Sequence, residues 1–283
     1  MRHKKLKKWF MRFLIFITLT IICIPGLWIV LSSFRPVVEI LAKPAVWIPE
    51  NLSFNNYMQM FGIGDNANVA VPVTKYFINS VIISMTSTII AIFFGMLGGY
   101  VFARYNFRFK SHLFLWFMLS RAIPGISLSL PLFMVFSWTG LIDTKTGVIL
   151  VYVAMNIPFT IWLTEGFFMQ IPKELNEAGR VDGCTPVQAF LLIELPLART
   201  GIASAGIFAF LVSWNEYALA SVLTRSTNSK TLPVGIMDYT AQFTFDWTGM
   251  CTMAVIIILP AVILTFIIQK HLISGLTLGG VKG

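Results

Sequence analysis

Apolar residues in this chain follow neither a period of two nor a narrow helical stripe; they fill whole segments of about twenty residues. Six such runs stand out, at 10–32, 77–102, 113–137, 148–169, 201–223 and 251–269. About 20 apolar residues in a helix cross a hydrocarbon layer roughly 30 Å thick, and a helix satisfies its own backbone polar groups there. Each run is therefore predicted to be a membrane span. The pattern predicts an all-α membrane protein in which residues 1–283 form a single six-helix transmembrane domain.

Composition supports lipid as the solvent. Hydrophobic residues make up 57% and charged residues only 12%, with 25 Phe and a mean hydropathy of +0.79, which excludes a soluble chain of this length. A net charge of +9 could suggest nucleic acid. The Lys and Arg residues flank the apolar runs instead of forming a basic face, so a membrane partner is expected and a nucleic-acid partner is not.

With loops assigned alternately, the segments before 13, 103–112, 170–200 and after 269 hold fourteen of the 21 basic residues. The opposite side holds Arg35, Lys43, Lys75, Lys145, Arg225 and Lys230. The positive-inside rule then puts both termini in the cytoplasm. The basic N-terminus resembles the start of a signal peptide, but the run 13–31 is too long and lacks a small-x-small cleavage site, so an uncleaved first span is expected. Cys23, Cys184 and Cys251 lie far apart with no CxxC pairing; neither a disulfide nor a metal site is expected.

The loop 170–200 is too long for a mere turn. Pro172 suits a first helical position, with Glu174 and Glu177 near the positive N-terminal end. Leu175, Ala178 and Gly179 share one face, small enough for close approach of another backbone. Gly183 suits a left-handed stop. Thr185 before Pro186 reads as an N-cap, and a second helix is expected to run through Phe190 and Ile193 until Pro196 breaks it.

The segment Glu177-Ala178-Gly179, three residues, Gly183, nine residues, then Ile193-x-Leu195-Pro196 resembles the EAA loop of permease subunits of binding-protein-dependent ABC importers. Gly179 stands where that pattern usually has Ala. Further pieces resemble the carbohydrate subgroup, in particular the second permease subunit of maltose-type importers. These are Asn79-Ser80, Ile123-Pro124, Pro131-Leu132, Gly140-Leu141, Trp214-Asn215-Glu216-Tyr217 and the tail Gly275-Leu276-Thr277-x-Gly279-Gly280-Val281-Lys282-Gly283.

The resemblance implies a coupling helix carrying Glu177, Ala178, Gly179, Asp182, Gly183, Leu195 and Pro196, docked on a cytoplasmic ATPase dimer. It also implies a second permease subunit in a heterodimer and an external sugar-binding protein. The loop 231–249, with Pro233, Asp238 and Tyr239, would reach that binding protein, and the glycine-rich tail would touch the ATPase. No G-x-x-x-x-G-K-[ST] phosphate loop occurs, so ATP and Mg are assigned to the partner and no cofactor or catalytic residue to this chain.

Ionisable residues inside spans are expensive and mark candidate sites. Glu165 lies near a cytoplasmic span end, where it can snorkel or brace the coupling loop, and Arg121 is a candidate partner for it. Asn215 and Glu216, flanked by Trp214 and Tyr217, fall near the middle of the fifth run and are candidate path residues; an inter-helix clamp is the plain alternative. Asn156, beside a Pro158 break in the fourth run, is a weaker candidate of the same kind.

Two rivals are a membrane-embedded enzyme and a stand-alone carrier. The first lacks H-E-x-x-H, G-x-S-x-G and paired carboxylates at metal-binding spacing. The second would need inverted repeats or a relay of intramembrane acids, and only Glu165 and Glu216 are available.

Overall fold

A computed structural model describes residues 2–44, 46–63, 71–240 and 245–277. Its helices, in chain order, are α1 (Arg2–Ser33), α2 (Val37–Ile40), α3 (Asn55–Met60), α4 (Val73–Arg104), α5 (Lys110–Ser120), α6 (Ser129–Trp138) and α7 (Lys145–Met169). They continue with α8 (Lys173–Val181), α9 (Pro186–Ala189), α10 (Leu195–Trp214), α11 (Ala218–Leu223), α12 (Leu232–Gly235) and α13 (Trp247–Thr277). Among the described residues no strand forms; the one β-bridge joins Thr240 and Phe245. The tail residues 279–283 singled out above lie outside the described residues.

Five of these helices are long and apolar enough to cross a membrane, within 7–33, 73–104, 145–169, 186–214 and 247–267; α5 and the stretch 125–138 supply a sixth span only as a pair bent by 92°. The third span expected at 113–137 is thus broken. Pro124 has extended backbone (φ −60°, ψ 128°), as expected of a residue that cannot donate to the preceding turn and that pushes Ile123 out of helical conformation.

Two other prolines behave in the opposite way from the sequence reading. Pro158 lies inside α7, which runs through it unbroken. Pro196 does not end a helix but sits in the first turn of α10, directly after a π-helical segment at Phe190–Glu194. The wider i→i+5 turn shifts the register where proline has no N–H to give, so the hairpin's second helix continues into the fifth span. That helix stops at Trp214, earlier than the 223 expected, and α11 follows after a break.

The chain divides into two compact units, residues 1–73 with 235–259 and residues 74–234 with 260–283. In the first, the loop after α1 is ordered by its polar and aromatic groups. Arg35 is buried: its Nη1 donates to Val46 O at 2.7 Å, and its guanidinium lies 4.7 Å from the Trp28 ring centre. Asn56 donates to the carbonyls of Ser33 and Arg35, and Phe34 packs on Phe54 and Tyr57. The described part of this loop is thus a structured element.

Among the described residues, the second unit has two apolar cores. One gathers Ile83, Val148, Val151, Tyr152, Leu219 and Leu223. The other gathers Tyr100, Ala103, Phe168, Ile171, Phe190 and Ala198. Helices α4 and α7 approach closely because Gly95 and Gly99 face Thr160 and Thr164, leaving no room for a Cβ. Thr160 Oγ1 donates to Ala91 O and Thr164 Oγ1 to Gly95 O, both at 3.0 Å. Small residues at four-residue spacing with hydroxyl cross-links are how helices hold together where the surrounding lipid is as apolar as the side chains.

Candidate functional site

The hairpin after α7 is built as its local chemistry dictates. Pro172 is the N-cap of α8, one position before the first helical residue expected for it, and Glu174 lies in the first turn. Gly183 has φ +96°, a conformation that costs an L side chain about 1–2 kcal/mol, and it turns the chain. Thr185 and Gln188 then form a reciprocal capping box, with Pro186 in the first turn. Glu177, Ala178, Asp182 and Gly183 are exposed, and so are Leu175, Val181 and Val187. Gly179 is buried and faces inward, where a Cβ would strike Ile193 Cδ1. Its small size therefore closes the hairpin on itself.

What ties the hairpin to the spans is a residue the sequence reading did not single out. Glu194 is fully buried and accepts two hydrogen bonds from Arg104 at the end of α4, Nε to Oε1 at 2.6 Å and Nη2 to Oε2 at 2.8 Å. Arg104 Nη2 also donates to Ile171 O at 2.9 Å. Asn176 of α8 donates to Glu194 Oε1 at 3.0 Å and to Tyr100 OH at 3.2 Å. Tyr100, Phe168 and Phe190 pack around this centre with ring separations of 4.7–6.1 Å. The Glu194–Arg104 pair thus fastens α4, the turn after α7, α8 and the start of the fifth span. A bidentate guanidinium–carboxylate pair fixes orientation as well as distance.

The candidate path residues are separated by the fold. Asn215 and Glu216 stand at the break between α10 and α11 and not in the middle of a helix. A glutamate accepting first-turn N–H groups is the reason the chain can restart as α11. Glu216 Oε1 accepts from Leu219 N at 2.8 Å and Oε2 from Ala220 N at 3.0 Å, while Tyr152 OH donates to Oε2 at 3.0 Å. Asn215 is exposed, its Nδ2 returned to Leu211 O. Trp214 is 2% exposed, against Phe210 and Phe77. Asn156 is buried and donates to Ser213 Oγ at 2.9 Å, which also accepts from Ser87 Oγ at 3.1 Å; its Oδ1 has no partner among the described atoms.

Arg121 and Glu165 are not a pair: among the described residues the ion pair within 4 Å is Arg104–Glu194. Arg121 lies instead over the Phe159 ring at 4.6 Å.

At the other end of the same unit, Asp143 gathers the loop 224–232. It takes the left-handed conformation at φ 59°, and its Oδ1 accepts from the N–H groups of Arg225 and Ser226, both at 2.9 Å, and from Ser229 Oγ. Burial alone would raise its pKa, but these hydrogen bonds hold the carboxyl well below the usual range. Asn79 Nδ2 donates to the carbonyls of Thr227 and Lys230, and Ser80 Oγ accepts from Leu232 N. The Asn79-Ser80 pair noted in the sequence thus stands in the second turn of α4 and holds this loop. Of the residues expected to reach outward, Asp238 is exposed and Tyr239 half-buried, whereas Pro233 is buried.

Comparison with known proteins agrees with this architecture. Residues 91–277 match the family described as binding-protein-dependent transport system inner membrane component. The trehalose transport system permease protein of Mycobacterium tuberculosis is 36% identical, over 92% of both chains. The sulfoquinovosyl glycerol transport system permease protein of Agrobacterium fabrum is 32% identical, over 92% of this chain and 88% of its own. Among solved structures, a bacterial ABC transporter involved in the import of the acidic polysaccharide alginate shares the fold. Its TM-score is 0.79 at 18% identity, over 95% of this chain and 98% of the other. This multi-pass membrane chain belongs to the family of binding-protein-dependent transport system inner membrane components, the permease subunits of ABC importers.

Proposed function

We propose that this chain forms half of a translocation pathway for a sugar and couples it, through the α8–α9 hairpin, to ATP hydrolysis by a separate ATPase dimer that holds ATP and Mg. The observation that carries this reading is the Glu194 joint. A lever is useful only if it is stiff where it meets the spans, and Glu194 with Arg104 and Asn176 makes it so. The relatives' cargoes, trehalose and sulfoquinovosyl glycerol, are a sugar and a sugar conjugate, which favours that class here.

In this reading both termini are cytoplasmic and the ATPase receives the exposed ridge of Glu177, Ala178, Val181, Asp182 and Gly183. Gly179 and Leu195 shape the hairpin from within, and the exposed Pro196 lies in the first turn of α10. A second, different permease completes the pathway, and Asn215 is the exposed member of its group, placed to line it. Glu216, Trp214 and Asn156 brace the helix break. An external sugar-binding protein meets the region of Asp238 and Tyr239.

The test is purification from native membranes followed by an assay of ATP hydrolysis with and without the binding protein and its sugar. Co-purification of an ATPase and a second permease, with hydrolysis stimulated by the loaded binding protein and lost in Gly183→Arg, is expected. Transport by the purified chain alone would sink the reading.

A further inference from the structure

A cleft of about 500 Å³ opens between the end of α4, the first turns of α5 and the last turns of α7. Its walls are Phe102, Phe114, Leu115 and Met118, an apolar lining suited to methylenes. Two charges of opposite sign stand in the same cleft, Lys110 and Glu165, and they form no ion pair within 4 Å, the one such pair among the described residues being Arg104–Glu194. No hydrogen bond of the Glu165 carboxylate is recorded among the described residues either. A carboxylate in a membrane span beside an apolar wall is costly unless a cation or donor meets it.

The other side of the cleft has the complementary need. Helix α5 begins at Lys110 after Phe109, whose side chain gives no cap. The Lys110 N–H donates to Phe107 O at 3.2 Å; the N–H groups of Ser111 and His112, without a side-chain cap, together with the lysine ammonium and the Ser111 hydroxyl form an environment for a phosphate. Glu165 lies four residues before the end of α7, about 6 Å below it at 1.5 Å per residue. That is head-group depth beneath a span end, and the exposed Arg108, two residues before Lys110 in the chain, marks the same boundary.

We propose that this cleft is a binding site for a phospholipid with a primary-amine head group, of the phosphatidylethanolamine class. Its ammonium meets Glu165, its phosphate meets Lys110 and the start of α5, and its first methylenes lie along Phe114, Leu115 and Met118. An anionic phospholipid satisfies Lys110 but leaves Glu165 facing negative charge. A lipid without a cation leaves Glu165 with only Lys110 as counter-charge, and the two are not in contact within 4 Å. The zwitterion answers both, and the site depends on the chain being in a membrane and not on its cargo.

The probe is an equimolar mixture of palmitoyl-oleoyl phosphatidylethanolamine and phosphatidylglycerol. It is equilibrated with the assembly as purified in mild detergent, and retained lipid is read by native mass spectrometry. Retention of phosphatidylethanolamine over phosphatidylglycerol is expected, with that preference falling roughly tenfold in Glu165→Gln, the loss expected from removing one charge-assisted hydrogen bond.

Met118→Trp, which fills the acyl portion without touching a charge, lowers retention of both lipids. Only variants that elute as the wild-type assembly are compared. Equal retention of the two lipids, or a preference that survives Glu165→Gln, overturns the proposal. So does a cleft that retains neither lipid while Lys110 crosslinks to a co-purifying permease subunit.

Discussion

At the scale of single residues, two carboxylates determine what is held rigid, and neither is conspicuous in the sequence. Glu194 is buried with Arg104 as its counter-ion, so removing either partner leaves an uncompensated charge in the interior. Arg104→Ala or Glu194→Ala is expected to destabilise the protein by about 3–5 kcal/mol, read as a lowered midpoint of thermal unfolding by tryptophan fluorescence in detergent. Glu194→Gln keeps an acceptor and should lose less.

Asp143 gives a pH signature of known sign. Its hydrogen bonds hold its folded pKa below the unfolded value near 3.9. Its contribution is therefore fully present above the ordinary carboxylate range and fades as the pH falls below about 4. Amide protection in residues 225–232 should be flat from neutral pH down to that range and then decline, and Asp143→Asn should lower the plateau and flatten the decline. A decline of equal size in both proteins would show that another group is responsible. The sequence alone read Arg104 as one more cytoplasmic positive charge and Asp143 not at all. Pairing across 90 residues has no signal in one chain, and an aspartate in a turn is ordinary.

At the scale of elements, the spans and the hairpin were legible because their causes are local. Runs of apolar residues, a left-handed glycine, and a Thr-Pro start with glutamine three residues on each act within a few residues. The prolines were misread because their effect depends on what the neighbouring turns can absorb. Pro124 breaks the third span, Pro158 sits inside α7, and Pro196 is accommodated by the π-helical turn before it. The Gly95-x-x-x-Gly99 spacing is a further local signal, for close approach of two helices.

It yields the strongest packing prediction. A Cβ on Gly99 would meet Thr164 Oγ1 and lie 2.7 Å from Glu165 N, a backbone atom that cannot swing aside. Gly99→Leu should therefore force α4 and α7 apart, at a cost of about 1–3 kcal/mol or more, seen as loss of detergent-stable protein. Gly179→Leu should act differently. It meets only the movable end of Ile193, so the protein should assemble while the hairpin opens and stimulation of ATP hydrolysis by the loaded binding protein falls.

At the scale of the whole molecule, orientation is the property on which the coupling reading depends, because the hairpin must face the compartment that contains ATP. The chain carries its own reporters. Cys184 follows Gly183 in the hairpin and is partly exposed, Cys23 lies within the α1 span, and Cys251 is half-buried near the start of α13. With Cys23 and Cys251 changed to Ser, a membrane-impermeant maleimide should label Cys184 in inside-out vesicles and leave it unmodified in intact cells. Asn228→Cys, placed on the exposed loop that Asp143 gathers and made in a chain whose three native cysteines are replaced by Ser, should show the reverse. The two sites lie at opposite ends of the fifth span, so an odd crossing separates them whichever way the bent third span is counted. Labelling of both from one side would mean that the segment 186–214 does not cross the membrane. Labelling with the two sides exchanged would put the hairpin outside, where no ATPase could reach it.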